Sequence, residues 1–563
     1  MLRHLFALFW ILIILTSCEE RENKEASAKK HGQSRLKKEI TLNQEYIDSV
    51  AIDTFLLKNQ YYRMHREEIH TFYGKRNYQL AWSEKGFLIP QTSMFLNIVI
   101  NLDRHGLITD LDESNRINNL YKSVRQSKEL TDPNVVKARK ELDIFLTASF
   151  FKHAPHLWSG MVDPGKAKLE WYTEPKKITY DEKLDSILYD NDYESNPFLE
   201  HEPLHKEYKK LRSALSKYRS LQRKGGYTVV DLKHKQRLTR GDTGKSVQAL
   251  QQRLIESGDL KENKNEGLFD LELKKAVENF QMRHGLKEDG IVGGKTLVML
   301  NTPVSDRITQ ILINMERWRW VPEKTQKNYL IVNIPEYKLH VYEEEEEKWE
   351  MNIIVGTEAT GTPVFNDEID HIVFSPSWMV PRSIALKEIL PVVKRNPSYL
   401  DKRDIEVYDG NLKKPINPDT IDWKSIEEED LRFTFKQNPG RHNPLGRVKF
   451  MFPNHFDVYL HDTPYGHLFN TKERGFSYGC IRIEEPLKLA EYLLKSQKGW
   501  TKEKISNSMN STEEVYVKIE NPIPVYILYF TAWVDDEGVV YFREDIYKHD
   551  QKLSKILYQD NQP

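Results

Sequence analysis

Apolar side chains recur at helical spacing in the first part of the chain, between residues 40 and 235. One helix is predicted to begin at Asp132, because an aspartate followed by Pro133 is typical of a helix N-terminus. Its apolar face comprises Val135, Ala138, Leu142, Phe145 and Leu146. A second apolar face, which Gly225 and Gly226 terminate, comprises Tyr208, Leu211, Leu215 and Tyr218. We predict a helical scaffold domain over residues 40–235.

Three shorter amphipathic segments follow between residues 236 and 302. Their apolar positions are Val247, Leu250 and Leu254, then Leu273, Val277 and Phe280, and finally Leu297 and Leu300. Glycines such as Gly285 separate the segments. Three short helices in so few residues predict a small three-helix module.

From residue 325 onward the period changes to two, which indicates strands. Leu330, Val332 and Ile334 alternate with other positions, and Pro335 with Glu336 is typical of a hairpin turn. We predict a mainly-β domain over 325–520, interrupted at 382–436 by a polar, proline-bearing insertion that is too long for a loop and forms a lid subdomain. Residues 521–563 are predicted to form a C-terminal hairpin and tail that packs on the scaffold or on the β domain. The fold class is therefore α+β and multidomain.

Composition limits the possible partners of this chain. Its 563 residues are too many for one core, and 39% hydrophobic residues suffice for several packed domains. The 83 Lys and Arg residues nearly cancel the 84 Asp and Glu residues, so the positive field that attracts phosphate backbones is missing. We expect no nucleic acid partner.

The N-terminus has the pattern of an export signal. Arg3 and His4 precede an apolar run over 5–15, which is too short to span a membrane and suits a secretory signal. The run ends in Leu15-Thr16-Ser17-Cys18, which resembles the lipobox of bacterial lipoproteins. This resemblance implies a signal peptide over 1–17, lipidation of Cys18, and anchoring to a membrane, with 18–39 as a flexible tether. A plain signal peptide or an uncleaved short anchor are the alternatives, and both also imply export.

The candidate chemistry lies between residues 456 and 482. Alternation places Asp457, Tyr459 and His461 on one face of a predicted strand, away from the core, and the turn after His461 leaves its imidazole near an edge or cleft. Cys480 follows in the string Ser477-Tyr478-Gly479-Cys480-Ile481-Arg482.

A neighbouring imidazole can activate a thiol for acyl transfer and return the proton to the leaving amine. This makes Cys480 the candidate nucleophile and His461 the candidate proton donor and acceptor. Backbone N–H groups around Gly479 and Cys480 are candidate oxyanion donors, and Arg482 could bind a substrate carboxylate. Tyr459 and Trp378 could line the substrate site.

These residues resemble the signature of L,D-transpeptidases, in which a histidine precedes a Ser/Thr-His-Gly-Cys segment that ends in Arg or Asn. Here the correspondence includes His461, Ser477, Gly479, Cys480 and Arg482, whereas Tyr478 stands where many members have histidine. The phrases that contain Tyr459 and Trp378 also resemble the large multidomain members of this family. The family implies that the main-chain carbonyl of Asp462 orients His461. Over residues 236–302, the string that includes Gly241-Asp242-Thr243-Gly244 and Asp289-Gly290-Ile291-Val292-Gly293 resembles a peptidoglycan-binding module of wall hydrolases.

The resemblance implies a periplasmic cell-wall enzyme that needs no cofactor and no metal. Its cysteine would form a thioester with a peptidoglycan tetrapeptide stem, release D-Ala, and pass the acyl group to an amine of a second stem to give a 3→3 crosslink. Two alternatives remain open, namely an L,D-carboxypeptidase or endopeptidase on the same stems and a non-catalytic wall-binding lipoprotein. A zinc site formed by His461, His467 and Cys480 is a weaker alternative, because it lacks an obvious fourth ligand.

Overall fold

The computed structural model describes residues 45–190, 195–199, 206–262, 265–322, 326–410 and 414–558. The predicted signal peptide, the tether and Cys18 lie outside these ranges. The chain divides into two compact units, and the first contains the described residues of Met1–Met161 and Lys177–Leu204 while the second contains those of Val162–Lys176 and His205–Pro563. In the described residues, no helix is both long enough and apolar enough to cross a bilayer.

The first unit is helical, as the sequence predicts. Its helices are Ser49–Lys58, Arg66–Lys75, Pro90–Val99, Leu111–Gln126, Pro133–Trp158 and Tyr180–Leu188. A short hairpin joins strands β1 (Ser83–Glu84) and β2 (Phe87–Leu88). The prediction of a helix that begins after Asp132 is confirmed, because the Asp132 side chain accepts a hydrogen bond from the Asn134 N–H. The predicted apolar positions Leu142, Phe145 and Leu146 are buried in the core of this unit.

The second unit begins with a segment, residues 162–176, that lies within the scaffold region of the sequence. Its Trp171 ring packs edge-on against Trp320 and Phe530. The Tyr172 N–H donates to the Val364 carbonyl at 2.8 Å. The helix Lys206–Arg223, which the sequence pattern assigns to the scaffold, also belongs to this second unit.

The small module has the three predicted helices, Lys245–Ser257, Leu271–Arg283 and Gly294–Leu300. The predicted apolar positions Val247, Leu250 and Phe280 are all fully buried in its core. A longer helix, Val304–Trp320, follows the module and buries both Trp318 and Trp320.

A nine-stranded sheet forms the body of the second unit. Its strands are β3 (Tyr329–Asn333), β4 (Lys338–Glu343), β5 (Glu346–Gly356), β6 (Phe365–Phe374), β11 (Val448–Met451), β12 (Leu460–His461), β13 (Gly475–Ser477), β14 (Ile481–Ile483) and β15 (Val515–Leu528). The order is β13-β5-β14-β12-β11-β6-β15-β3-β4, and β5 also pairs with β4. The predicted hairpin turn at Pro335 and Glu336 joins β3 to β4. Strand β15 continues past residue 520, where the sequence pattern placed the end of the β domain, because its residues 523–528 still pair with neighbouring strands.

The predicted insertion is a folded subdomain. Its sheet has the order β7-β10-β8-β9, formed by β7 (Trp378–Met379), β8 (Ile405–Tyr408), β9 (Pro415–Ile416) and β10 (Thr434–Gln437). Short helical segments span Arg382–Ile384, Ala385–Ile389, Leu390–Val393 and Tyr399–Lys402. Val393, Leu400 and Phe435 are fully buried in a core of its own. A helical unit, a three-helix module and a β-rich domain with an insertion confirm the predicted fold class.

The remaining elements close the chain. Helices Pro486–Leu494 and Lys502–Met509 precede β15, and helix His549–Tyr558 ends the described residues. The predicted C-terminal hairpin is present as β16 (Ala532–Val534) paired with β17 (Val540–Phe542).

Candidate active site

Two neighbouring strands hold His461 and the residues that directly follow Cys480. Strands β12 and β14 pair in parallel, with His461 opposite Arg482. The Tyr459 carbonyl accepts a hydrogen bond from the Ile481 N–H at 3.1 Å, which extends the pairing to the residues before both strands. Cys480 directly precedes β14, so the sheet register places it beside the residues that lead to His461.

The His461 side chain is buried, with 4% of its surface exposed. Its Nδ1 lies 2.5 Å from the main-chain carbonyl oxygen of Asp462, and because a carbonyl can only accept, Nδ1 carries the proton. Burial, with a smaller effect of the Arg482 guanidinium, lowers the pKa of His461 to about 3. The imidazole is therefore neutral at pH 7, and its Nε2 has a free lone pair.

The prediction of a regular strand over 456–461 is wrong, and of the two expected positions for the imidazole, an edge or a cleft, the sheet edge is excluded. Only Leu460 and His461 are in β12, which lies between β11 and β14 inside the sheet. The preceding residues form a turn, in which the Asn454 carboxamide oxygen accepts from the Phe456 and Val458 N–H groups, and Asp457 has a φ of 54°. Side-chain capping by asparagine competes with strand pairing here.

The Cys480 thiol is partly exposed and is the free cysteine of the described chain. Its Sγ lies 3.6 Å from the carbonyl oxygen of Asp457. The Tyr459 side chain contacts the thiol, and burial is the main reason why the pKa of Cys480 is raised above its ordinary value. The resting site therefore contains a neutral thiol and a neutral imidazole.

The turn before the thiol is held by hydroxyl groups. Ser477 Oγ donates to the Cys480 carbonyl oxygen at 2.6 Å and accepts from the Gly479 N–H at 3.1 Å. Gly479 has a φ of 117°, a conformation that favours glycine, as the sequence anticipates. Ser477 is itself buried, with 3% exposed. It therefore braces the turn and has little surface to offer a substrate.

Sequence reasoning missed two threonines that support the same turn. Thr362 Oγ1 donates to the Gly479 carbonyl oxygen at 2.8 Å, and Thr360 Oγ1 donates to the Ser477 carbonyl oxygen at 3.0 Å. Both lie in the loop between β5 and β6. The only local signal is the density of glycine and threonine between residues 356 and 362, which predicts a loop and gives no partner.

Arg482 follows the thiol by two residues. Its Nε is buried and has no hydrogen-bond partner, and in the described chain its guanidinium forms no ion pair. Burial lowers the pKa of this side chain, although it stays charged at pH 7. An uncompensated guanidinium beside the thiol can attract a carboxylate.

The remaining predicted residues lie toward the insertion. The Tyr478 side chain is 52% exposed, and its hydroxyl donates to Glu388 Oε1 in the insertion at 2.7 Å. Trp378 lies in β7 opposite Gln437 and packs against the core of the insertion. The Asp462 carboxylate accepts from the Arg447 and Thr463 N–H groups, so its side chain has a structural role in addition to the carbonyl contact with His461.

Three segments of the chain match domain families. Residues 327–524 match the family described as "L,D-transpeptidase catalytic domain". Residues 67–215 match a "Scaffold domain", and residues 243–300 match a "Putative peptidoglycan binding domain". A curated relative from Haemophilus influenzae, "Putative L,D-transpeptidase", is 34% identical over 258 residues, which cover 46% of this chain and 51% of the relative. The chain thus spans about half the length of this relative.

Solved structures of L,D-transpeptidases also align with the chain. The enzyme from Xylanimonas cellulosilytica (residues 123-326) is 15% identical, covers 53% of this chain and 100% of its own, and has a TM-score of 0.17. The enzyme from Stackebrandtia nassauensis is 11% identical, covers 52% of this chain and 94% of its own, and has a TM-score of 0.21. TM-scores of this size do not establish a common fold over the aligned length.

The described chain is thus a multidomain α+β protein whose main sheet pairs the strand of His461 with the strand that begins directly after Cys480. Its residues 327–524 are similar to the L,D-transpeptidase catalytic domain family, and other segments match a scaffold domain and a peptidoglycan-binding domain.

Proposed function

We propose that this protein is an L,D-transpeptidase that makes 3→3 crosslinks in peptidoglycan. The observation that carries the proposal is the parallel pairing of β12 with β14, which places a neutral imidazole next to the strand that begins after Cys480. The family match over residues 327–524 supports the reaction class, and the match over residues 243–300 supports peptidoglycan as the partner.

Acylation begins with Cys480 Sγ attacking the carbonyl carbon between the third and fourth residues of a donor tetrapeptide stem. Because burial disfavours the thiolate, the proton leaves the thiol for His461 Nε2 as the carbon–sulfur bond forms. His461 then gives this proton to the departing amine of D-Ala, and a thioester remains. An amine of a second stem attacks the thioester, which releases the thiol and completes the crosslink.

The oxyanion that forms at each step needs donors. The Gly479 N–H already donates to Ser477 Oγ, which supports the Cys480 N–H as the main-chain donor of this turn. We therefore propose the Cys480 N–H alone, and not the N–H groups of both Gly479 and Cys480, as the oxyanion donor. The Asp462 carbonyl keeps His461 in the tautomer with a free Nε2, and Arg482 can hold a donor carboxylate.

The aromatic residues Tyr459, Tyr478 and Trp378 are proposed to line the substrate site together with the insertion. Tyr459 touches the thiol and Tyr478 reaches the insertion through Glu388. Ser477 is proposed to position the Cys480 turn through its two hydrogen bonds.

We also propose that the protein is exported and acts in the periplasm, anchored to a membrane by lipid on Cys18. The proposal rests on the sequence of the N-terminal residues, which lie outside the described ranges, and on a wall polymer as the partner. A tether over residues 18–39 would allow the enzyme to reach the wall from the membrane.

The test is intact-protein mass spectrometry of the protein with disaccharide-tetrapeptide, beside a Cys480→Ala variant. The expected result is a covalent adduct on the unmodified protein only, with loss of D-Ala, followed by 3→3 crosslinked dimers. An adduct that yields only tripeptide would indicate a carboxypeptidase. Wall binding without any adduct would indicate a non-catalytic lipoprotein and refute the proposal.

A further inference from the structure

A cavity of about 530 Å³ lies in the second unit and is separate from the residues around Cys480. Several parts of the chain line it, including the end of the three-helix module near Gly285, the start of helix Lys206–Arg223, the first hairpin of the main sheet, the loop before β13, and the hairpin formed by β16 and β17. Neither Cys480 nor His461 lines it. Its volume falls within the range of about 300–1,000 Å³ that is usual for ligand sites.

Ion pairs join the module to the loop before β13 at the rim of this cavity. Lys295 of the module lies 2.5 Å from Glu473, and Glu288 lies 2.7 Å from Lys472. Both partners in the loop precede Gly475, the first residue of β13. The cavity wall is therefore continuous with the segment that leads to the catalytic turn.

One wall of the cavity presents the guanidinium of Arg543. Its Nη1 donates to the carbonyl oxygens of Arg283 and Phe542, and its guanidinium carbon lies 4.8 Å from the centre of the Trp533 ring. In the described chain no carboxylate lies within ion-pair distance of Arg543, and Glu336, Glu350 and Glu288 act on it only at longer range. A guanidinium fixed on an aromatic face and lacking a direct carboxylate partner is suited to bind a carboxylate ligand.

The module is shaped to accommodate this arginine. Gly285 has a φ of 68°, and a Cβ at this position would lie 2.8 Å from Arg543 Cδ and 2.9 Å from its Nε. Any larger residue would push the guanidinium out of its place. Arg543 and Trp533 lie outside both the module match at 243–300 and the catalytic match at 327–524, so neither match assigns them a role.

The hairpin wall has the opposite character. His340 places its Nε2 3.0 Å from Glu336 and its Nδ1 2.9 Å from Glu347, while Lys338 pairs with Glu350. These three glutamates and the two cations, His340 and Lys338, together have a net charge of −1. The group Glu336, His340 and Glu350 has spacing that could suit a metal ion. However, the neighbouring carboxylates raise the pKa of His340 to about 10, and a doubly protonated imidazole has no lone pair for a metal.

We propose that this cavity binds a peptidoglycan stem peptide at a second site, separate from the Cys480 site. The free carboxylate of the peptide binds Arg543, and a free ammonium group faces the carboxylates around His340. The identity of the peptide rests on the proposed function, whereas the match of opposite charges rests on the cavity alone. Such a site would hold one strand of the wall while Cys480 acts on another, which raises the local concentration of substrate.

The experiment measures binding without turnover. Isothermal titration of disaccharide-tetrapeptide is performed on the full chain with Cys480→Ala, and then with Arg543→Gln added. We expect two binding sites in the first protein, and a loss of affinity of about 10- to 100-fold at one of them in the second, as for removal of a charged hydrogen-bond partner. A peptide whose terminal carboxylate is amidated should lose the same factor at the Arg543 site, and it should also bind more weakly at the Cys480 site, where Arg482 can hold a donor carboxylate. Arg441→Gln, which changes an exposed arginine outside the cavity, should alter neither site.

Hydrogen exchange provides a second measurement in case Arg543→Gln disturbs folding. In the Cys480→Ala protein, the peptide should protect amides over 284–288, 472–474 and 533–543. Absence of this protection, or a single site whose affinity ignores Arg543→Gln, would overturn the proposal. Arg543-dependent binding in a protein that makes no crosslinks would instead refute the proposed function and leave this site intact.

Discussion

The hydroxyl of Ser477 offers a direct test of how the catalytic turn is built. Replacing the buried Ser477 with alanine removes the hydrogen bonds to the Cys480 carbonyl and from the Gly479 N–H. Each neutral hydrogen bond contributes roughly 0.5–1.5 kcal/mol, and a buried group left without a partner costs about 1–3 kcal/mol. We expect the turn to open more easily by about 2–4 kcal/mol.

Ser477→Ala should lower activity because the turn that it loosens also holds the Cys480 N–H, the proposed oxyanion donor. If most of this free energy is needed to keep the oxyanion donor in place, the rate of thioester formation should fall by roughly 30- to 1,000-fold, since about 1.4 kcal/mol corresponds to a factor of ten. The assay is the single-turnover rate of adduct formation by mass spectrometry, together with hydrogen exchange at the Gly479 amide. Both should change together.

A matched control is available in the insertion. Ser398→Ala makes the same chemical change at an exposed serine that donates only to Asn396, so it should alter stability by no more than about 0.5 kcal/mol. A Ser477→Ala variant that forms the adduct within twofold of the unmodified rate, with unchanged exchange at Gly479, would refute the reasoning about the turn.

Three further predictions concern charge and protonation. The rate of Cys480 alkylation by iodoacetamide should still increase as the pH rises above 9.0, the ordinary pKa of the thiol. The reason is that burial raises the thiol pKa and the neutral His461 does not stabilise a thiolate, so a plateau of the rate at about pH 7 would contradict this protonation state. Tyr478→Phe and Glu388→Ala should each speed amide exchange in the insertion by an equal factor, roughly 2- to 10-fold, because each removes the same hydrogen bond. Unequal effects would show that the contact is not the shared cause. The pKa of His340 is raised from its ordinary value of 6.5 to about 10. Its contribution to the free energy of unfolding is therefore complete below pH 6.5 and is lost as the pH rises through 10. Urea unfolding should show this loss in the unmodified protein and a weaker pH dependence in His340→Gln, whereas identical pH profiles would contradict it.

Local sequence patterns predict much of this fold because they report elements that depend on neighbouring residues. The aspartate and proline at 132 and 133 begin a helix, and the turn at 335 and 336 joins two strands, as the residues indicate. The contact of His461 with the Asp462 carbonyl is likewise local, since the two residues are adjacent.

Other features depend on partners distant in sequence and leave no local trace. Thr362 supports Gly479 from a loop more than a hundred residues away, and Glu388 reaches Tyr478 from within the insertion. The alternation of apolar and polar residues also predicted too long a strand before His461. The Asn454 side chain and the left-handed conformation of Asp457 form a turn there, which a pattern of period two does not reveal. The cavity at Arg543 requires several separate parts of the chain to meet.

The division of the second unit has a consequence for the order in which the chain is made. Residues 162–176 are synthesised before Trp320, Val364 and Phe530, yet Trp171 and Tyr172 pack against these later residues. Until those residues are synthesised, the aromatic side chains of residues 162–176 stay exposed to solvent. Exposed apolar surfaces of this kind promote aggregation of incomplete chains. It also follows that a shortened protein beginning at residue 206 would lack the cover over Trp320, so removing the scaffold by a single cut would expose part of the catalytic unit.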